Sequence, residues 1–168
     1  MLWHPAYVGL GSNLDEPAMQ VRRALKALAG LPHSRLLRWS ALYGSTPLGP
    51  VAQPDFVNAA AGVLTQLDAA QFFGELRALE RELGRLPPRE RWGARRIDLD
   101  LLLFAQLRQD GPDLQLPHPG IVDRNFVLYP LAEVAPELLV PGHGRVAELA
   151  ARVGSKGIWR LDSETQQP

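Results

Sequence analysis

The chain has 168 residues, of which 46% are hydrophobic and 21% charged, and its 18 Lys plus Arg are matched by 18 Asp plus Glu. These values suit one globular domain over residues 1–168, exclude a disordered chain, and argue against a general nucleic-acid binder or a protein drawn to anionic membranes. The absence of cysteine excludes disulfide scaffolds, thiol catalysis and thiolate metal sites; with no membrane-length apolar run and no signal-peptide pattern at Met1-Leu2-Trp3-His4-Pro5, a cytoplasmic protein is expected.

In chain order, Tyr7–Leu10 reads as a first strand stopped by Gly11-Ser12-Asn13. Helical spacing of Val21, Ala24, Leu25 and Leu28 predicts a helix over Met19–Leu28, closed by Gly30 and Pro32. Leu36–Tyr43 is a second strand, Gly44–Pro54 a Gly- and Pro-rich loop, and Phe56–Leu67 a third strand. Asp68 caps a predicted helix over Ala69–Leu83, with Phe72, Phe73, Leu76, Leu79 and Leu83 on its apolar face and Gly84 ending it. An arginine-rich loop leads to a fourth strand, Ile97–Phe104. The order is that of a ferredoxin-like α+β fold, a βαββαβ core with an antiparallel sheet and helices on one face. From Leu114 onward, C-terminal edge elements and a short helix near Arg145–Val153 are expected.

Ile97-Asp98-Leu99-Asp100-Leu101 is the sharpest local signal. Residues two apart on a strand share a face about 6.6 Å apart, so Leu99, Leu101 and Leu103 point to the core while Asp98 and Asp100 share the other side. Two adjacent carboxylates in a half-buried patch want a cation, and oxygen ligands with nothing soft nearby suit Mg²⁺ better than zinc. A plain solvent-facing pair on an amphipathic strand is the bland alternative.

The arginines before the pair shift that balance. Of the 16 Arg in the chain, five fall between Arg85 and Arg96. Arg matches phosphate oxygens in bidentate fashion, and cations beside a carboxylate pair holding Mg²⁺ are the recurring parts of phosphoryl transfer. His118, between Pro117 and Pro119, sits on a stiff loop suited to a fixed ligand contact, whereas His4, His33 and His143 read as surface. Gly9-Leu10-Gly11 lacks the third glycine of a dinucleotide fingerprint, since position 14 is Leu14, and no P-loop is present. Asn13 is expected to cap a helix or hold a turn. Asn58 is polar where the strand pattern wants apolar; a flat heteroaromatic ring stacked on Phe56 would satisfy it, as would neighbouring backbone.

Together the runs Tyr7-Val8-Gly9-Leu10-Gly11-Ser12-Asn13-Leu14, Pro47-Leu48-Gly49-Pro50, Gln53-Pro54-Asp55-Phe56-Val57-Asn58-Ala59, Arg91-Trp92-Gly93-Ala94-Arg95-Arg96-Ile97-Asp98-Leu99-Asp100, Pro117-His118 and Arg124-Asn125-Phe126 resemble the 6-hydroxymethyl-7,8-dihydropterin pyrophosphokinases of folate biosynthesis. The resemblance implies transfer of a pyrophosphoryl group from ATP to the pterin hydroxymethyl oxygen, with release of AMP. It implies two Mg²⁺ ions on Asp98 and Asp100, and charge neutralisation by Arg85 and Arg95. Glu80, Trp92, Arg95, Leu101, Gln115, His118 and Arg124 would bind ATP. Ser45, Pro47, Leu48, Phe56, Asn58, Trp92 and Phe126 would hold the pterin, Trp92 closing over the site on a loop that orders with ligands. The implied partners are ATP and a reduced pterin, with no nucleic acid or membrane, and a monomer open to association with other folate-pathway enzymes. The competing readings are a ferredoxin-like nucleic-acid module and a Mg²⁺-dependent nucleotidyltransferase acting on another acceptor.

Overall fold

The computed structural model describes residues 1–84 and 93–161. Strand β1 (His4–Ser12) leads into helix α1 (Pro17–Ala29), whose Val21, Ala24, Leu25 and Leu28 are buried as their spacing predicts. The second predicted strand is two: β2 (Ser34–Trp39) and β3 (Tyr43–Ser45) pair with opposite halves of β4 (Phe56–Thr65). Gly44 and Ser45, expected in a loop, thus belong to the sheet. Helix α2 (Ala69–Glu82) starts at a reciprocal capping box: Gln71 N donates to the Asp68 carboxylate at 2.8 Å, and Asp68 N donates to Gln71 Oε1 at 3.0 Å. Strand β5 (Asp98–Phe104) completes the antiparallel core order β3-β4-β1-β5.

The remaining elements are two small hairpins, β6 (Gln109–Asp110) with β7 (Gln115–Leu116) and β8 (Leu139–Val140) with β9 (Gly144–Arg145), together with helices α3 (Asn125–Val134) and α4 (Val146–Val153) and strand β10 (Ile158–Arg160), which pairs with β3. The core is a ferredoxin-like βαββαβ unit, with α1 and α2 on one face of the sheet. The second face is covered too. There α3 and α4 bury Val127, Leu128, Leu131, Val146 and Leu149 against Ala60, Leu102 and Leu103, so the C-terminal additions form a third layer. Helix α3 escapes a periodicity search because it is apolar around most of its circumference and contains Pro130.

Strand β5 departs from simple alternation. Its register with β1 runs Leu10↔Leu99, Val8↔Leu101, then Tyr7↔Leu103, so Leu102 is an extra residue in a β-bulge. Leu99, Leu101 and Phe104 face α1 and α2, while Leu102 and Leu103 face α3 and α4. Leu103 therefore does not share the stripe of Leu99 and Leu101; the bulge turns it to the opposite layer. His4, expected at the surface, is half-buried with its ring 5.4 Å from that of Phe104.

Candidate active site

Cross-strand register sets the floor of a cleft. Gly11 lies between Asn58 on β4 and Asp98 on β5, and Gly9 lies between Ala60 and Asp100. Directly opposed residues point to the same face of a sheet, so Asn58, Asp98 and Asp100 share one side, with Asn58 and Asp98 two strands, roughly 10 Å, apart. At Gly11 no side chain stands between them; an added Cβ would sit 3.5 Å from Asn58 Oδ1. Gly11 of the failed dinucleotide fingerprint thus leaves an open trough between an amide and a carboxylate, while the space beside Gly9 is filled by the Leu102 side chain.

On the Asn58 side is a cavity of about 330 Å³ lined by Ser45, Thr46, Leu48, Gln53, Phe56, Asn58, Gly93, Arg95, Arg124 and Phe126. Asn58 Nδ2 donates to Ser45 Oγ at 2.8 Å and to Tyr43 O at 3.3 Å, while Oδ1 accepts no hydrogen bond among the described residues. The amide's donors are therefore used inside the protein and its acceptor is left over. Phe126 lies under the Arg124 guanidinium, 6.0 Å from the ring centroid. Pro47 is half-buried and is not among the lining residues.

On the carboxylate side, Arg95 Nη1 donates to Asp98 Oδ2 at 3.1 Å. Asp100 is pushed up to about 7, first by burial and then by the neighbouring Asp98 charge, against the pull of Arg77 and Arg124. Its ionised form is thus held at a cost, as expected where a cation is to bind. His118 Nε2 is 3.9 Å from Asp100 Oδ2, and its Nδ1 accepts from Gly120 N at 3.1 Å. That bond puts the ring proton on Nε2, facing the cleft. Burial, with Arg124 beside it, lowers the His118 pKa, so the ring is a neutral donor near pH 7. The backbone is fixed as well: the bulge turns Leu102 O out of the β1 ladder to accept His118 N at 2.9 Å. The Leu116–Pro117 peptide bond is cis.

A further cavity, about 270 Å³, is lined by Phe73, Leu101, residues 111 to 114, Gln115, His118 and Pro119. Leu101 and Gln115, expected around the nucleoside, are brought together there with His118, expected on the phosphates. Glu80 is not in its lining. It is 2% exposed, accepts from Leu99 N at 2.8 Å, and pairs with Arg77 at 2.7 Å. Arg77 also donates to Leu99 O at 2.6 Å and lies over the Phe73 ring, which ties α2 to β5, the strand of the two aspartates. Arg85 and Trp92, and with them the expected loop closure, fall outside the described residues. Arg96 pairs with Asp15 at the surface, at 2.7 Å.

Asn13 does not cap α1; the N-cap there is Glu16, without a side-chain bond. Instead Asn13 Nδ2 donates to Gln53 Oε1 (2.8 Å) and Pro54 O (3.0 Å), its Oδ1 accepts from Arg95 N (2.8 Å), and its N donates to Arg95 O (3.0 Å). One buried amide joins the end of β1, the segment before Phe56 and the residue that pairs with Asp98. Only the break in strand pattern at Ser12-Asn13 hints at this in the sequence. Asn13→Ala leaves these groups unpaired and is expected to lower unfolding stability by about 1–3 kcal/mol, read from urea melts.

A family model for 7,8-dihydro-6-hydroxymethylpterin-pyrophosphokinase matches residues 7–136. A Pseudomonas aeruginosa protein named 2-amino-4-hydroxy-6-hydroxymethyldihydropteridine pyrophosphokinase is 47% identical, the match covering 92% of this chain and 95% of the relative. A Haemophilus influenzae protein of the same name is 40% identical, over 94% and 98%. Among solved structures, wild-type Plasmodium falciparum HPPK-DHPS with pteroate superposes with a TM-score of 0.69 at 14% identity, covering 90% of this chain and 42% of that one. This last likeness is one of fold, and the chain spans less than half of that longer protein.

Proposed function

The chain belongs to the 7,8-dihydro-6-hydroxymethylpterin-pyrophosphokinase family, and we propose on that premise that its trough is where ATP and a reduced pterin meet. The reaction is pyrophosphoryl transfer in folate biosynthesis. The observation that carries the site assignment is the bare backbone of Gly11, which leaves Asn58 and Asp98 facing one another across β1. The pterin lies between Phe56 and Phe126. Asn58 Oδ1, the one unfilled acceptor of that amide, takes an N–H from the ring's pyrimidine edge, and Ser45 and Leu48 complete the wall beside Pro47. The nucleoside occupies the cavity of Leu101 and Gln115, and Glu80 supports it from beneath by holding Leu99.

Asp98 and Asp100 fit Mg²⁺: both donors are carboxylate oxygens, and no third His, Asp or Glu joins them among the described residues. Such a shell is completed by phosphate oxygens and water, the usual arrangement for this ion. Two Mg²⁺ would be held, supplying charge neutralisation on the triphosphate. Arg95, Arg124 and the Nε2–H of His118 bind phosphate oxygens. Arg95 acts most strongly as charge grows on the oxygen bridging the α- and β-phosphates, and we assign Arg85 to the same step and Trp92 to binding the two substrates. The pterin hydroxymethyl oxygen bonds to the β-phosphorus, the bridging P–O bond breaks, and AMP leaves.

The pyrophosphokinase relatives favour this reading over nucleotidyl transfer or a nucleic-acid module. No helix among the described residues is long and apolar enough to cross a membrane. We read the chain as one cytoplasmic pyrophosphokinase domain acting as a monomer, and its 32% identity to the Schizosaccharomyces pombe protein named folic acid synthesis protein fol1, of which it spans 21%, supports association with other folate enzymes. The test is incubation with ATP, Mg²⁺ and 6-hydroxymethyl-7,8-dihydropterin, followed by chromatography of the nucleotides: AMP is expected, and ADP would overturn the reaction type. Asn58→Ala should weaken pterin binding by roughly 10- to 100-fold, because the ring edge and Ser45 are both left unpaired, and change ATP binding little, as read by calorimetry with a non-hydrolysable ATP analogue.

A further inference from the structure

Helix α3 brings Arg124 and Phe126 to the cleft at its start, and the residue between them points elsewhere. Asn125 Nδ2 donates to Gly154 O at 3.0 Å and Lys156 O at 2.8 Å, in the turn that follows α4. One residue on, Gly157 O accepts from Thr46 N at 3.0 Å, and Ile158 pairs with Ser45. The turn is built for this close approach: Gly154 and Gly157 have φ of 81° and 75°, and a Cβ on Gly157 would come within 2.7 Å of Thr46 Oγ1. Residues 154–158 therefore form a strap from the first residue of α3 to Ser45 and Thr46. One end of that strap is held by the neighbour of Phe126 and the other by Ser45 and Thr46, and Phe126, Ser45 and Thr46 all line the cavity assigned to the pterin.

Two turns along α3, Glu133 makes the matching attachment. Its carboxylate accepts from Ala41 N at 2.6 Å and Tyr43 Oη at 2.8 Å, and so pins the far half of the helix to the same β2–β3 edge. Tyr43 is pushed up to about 12 by burial and by that carboxylate, so the phenol keeps its proton and the bond persists throughout the working pH range. Glu133 thus holds one end of the helix, and Asn125 tethers the other beside Phe126.

We propose that Asn125 is a positioning residue for the pterin: through the 154–158 strap it sets the width of the slot in which the ring stacks. The inference rests on the reading of that cavity as the pterin site. Asn125 touches neither substrate, and its action runs through backbone carbonyls, so its two donors matter and its shape alone does not.

The experiment measures dissociation constants for 6-hydroxymethylpterin and for a non-hydrolysable ATP analogue with Mg²⁺, alongside KM, kcat and Tm, in the full chain and in Asn125→Ala, Asn125→Asp and Gly157→Ala. Asn125→Ala is expected to weaken the pterin about tenfold, as two hydrogen bonds are lost, and the ATP analogue by less than about twofold. Asn125→Asp keeps the shape but turns an acceptor towards two carbonyls, and it should be the weaker pterin binder of the two. The losses of Asn125→Ala and Gly157→Ala should fail to add when combined, because both slacken one strap. In the unaltered protein, pterin binding should slow hydrogen exchange at the amides of 155–158 although none of them lines the cavity, and this readout needs no variant to fold. Equal losses for both ligands, a fall in Tm with pterin affinity intact, an aspartate variant as good as the parent, or unchanged exchange at 155–158 would each overturn the proposal. If the unaltered protein binds no pterin and releases no AMP, the site reading itself fails, and that outcome is separate from the others.

Discussion

Asp98→Ala and Asp100→Asn are expected to lower kcat by roughly 10³-fold or more, since the charge of the Mg²⁺ proposed to sit on them would be worth several kcal/mol in the transition state. Folding should survive, because neither side chain belongs to a core layer. For Asp100 the stability change has a definite sign. The folded protein holds the Asp100 proton up to about pH 7, whereas an unfolded chain releases it near 4. Between those values the folded state binds more protons, so in metal-free buffer this group makes stability fall as pH rises, and the loss is complete above about 7. Asp100→Asn removes that penalty. It should melt higher than the parent at pH 8, with the difference vanishing near pH 4. Calorimetry at the two pH values, with a chelator present, decides this. A variant that melts lower at pH 8 would show that Asp100 is a structural anchor. In the parent, Mg²⁺ must displace the same proton, so its apparent affinity should strengthen by about tenfold per pH unit up to 7 and then level off.

The second large effect is expected at Arg95. Arg95→Ala should reduce the chemical step by roughly 10²- to 10³-fold while weakening ATP binding far less, because the charge this guanidinium meets develops only as the bridging bond breaks. Single-turnover measurements separate the step from binding. Arg95→Lys should recover only part of the rate, since a compact ammonium cannot span Asp98 and a phosphate oxygen as a planar fork does. If affinity and rate fall in proportion, Arg95 is a ground-state binding residue.

The sequence carries the core well where one face of an element is wet. Helices α1 and α2 show their buried stripes plainly, and Asp68 with Gln71 marks the start of α2 three residues apart. It carries little where both faces are dry or where partners are distant in the chain. Helix α3 is buried on most sides, so no period survives, and Pro130 within it reads as a breaker. The joining of Asn13 to Arg95 spans 82 residues, and only tertiary structure can pair them. The carboxylate pair is legible because strand geometry fixes its shared face; the role of Gly9 and Gly11 is not, because an absent side chain has meaning only beside its cross-strand neighbours. The bulge at Leu102 hides for a related reason: a run of three leucines offers no polar residue to mark which one is extra.

That bulge bears on which insertions and deletions the family can tolerate. Counted as register alone, Leu102 is the most dispensable residue of β5, since its removal would leave every other pairing with β1 in place. Yet its side chain fills the space beside Gly9, and its carbonyl is the anchor for His118 N. A shortened strand would zip into a regular ladder, and with its carbonyls drawn back into that ladder the histidine loop would lose its attachment. Length drift in this strand is therefore barred by a residue that pairs with nothing in the sheet.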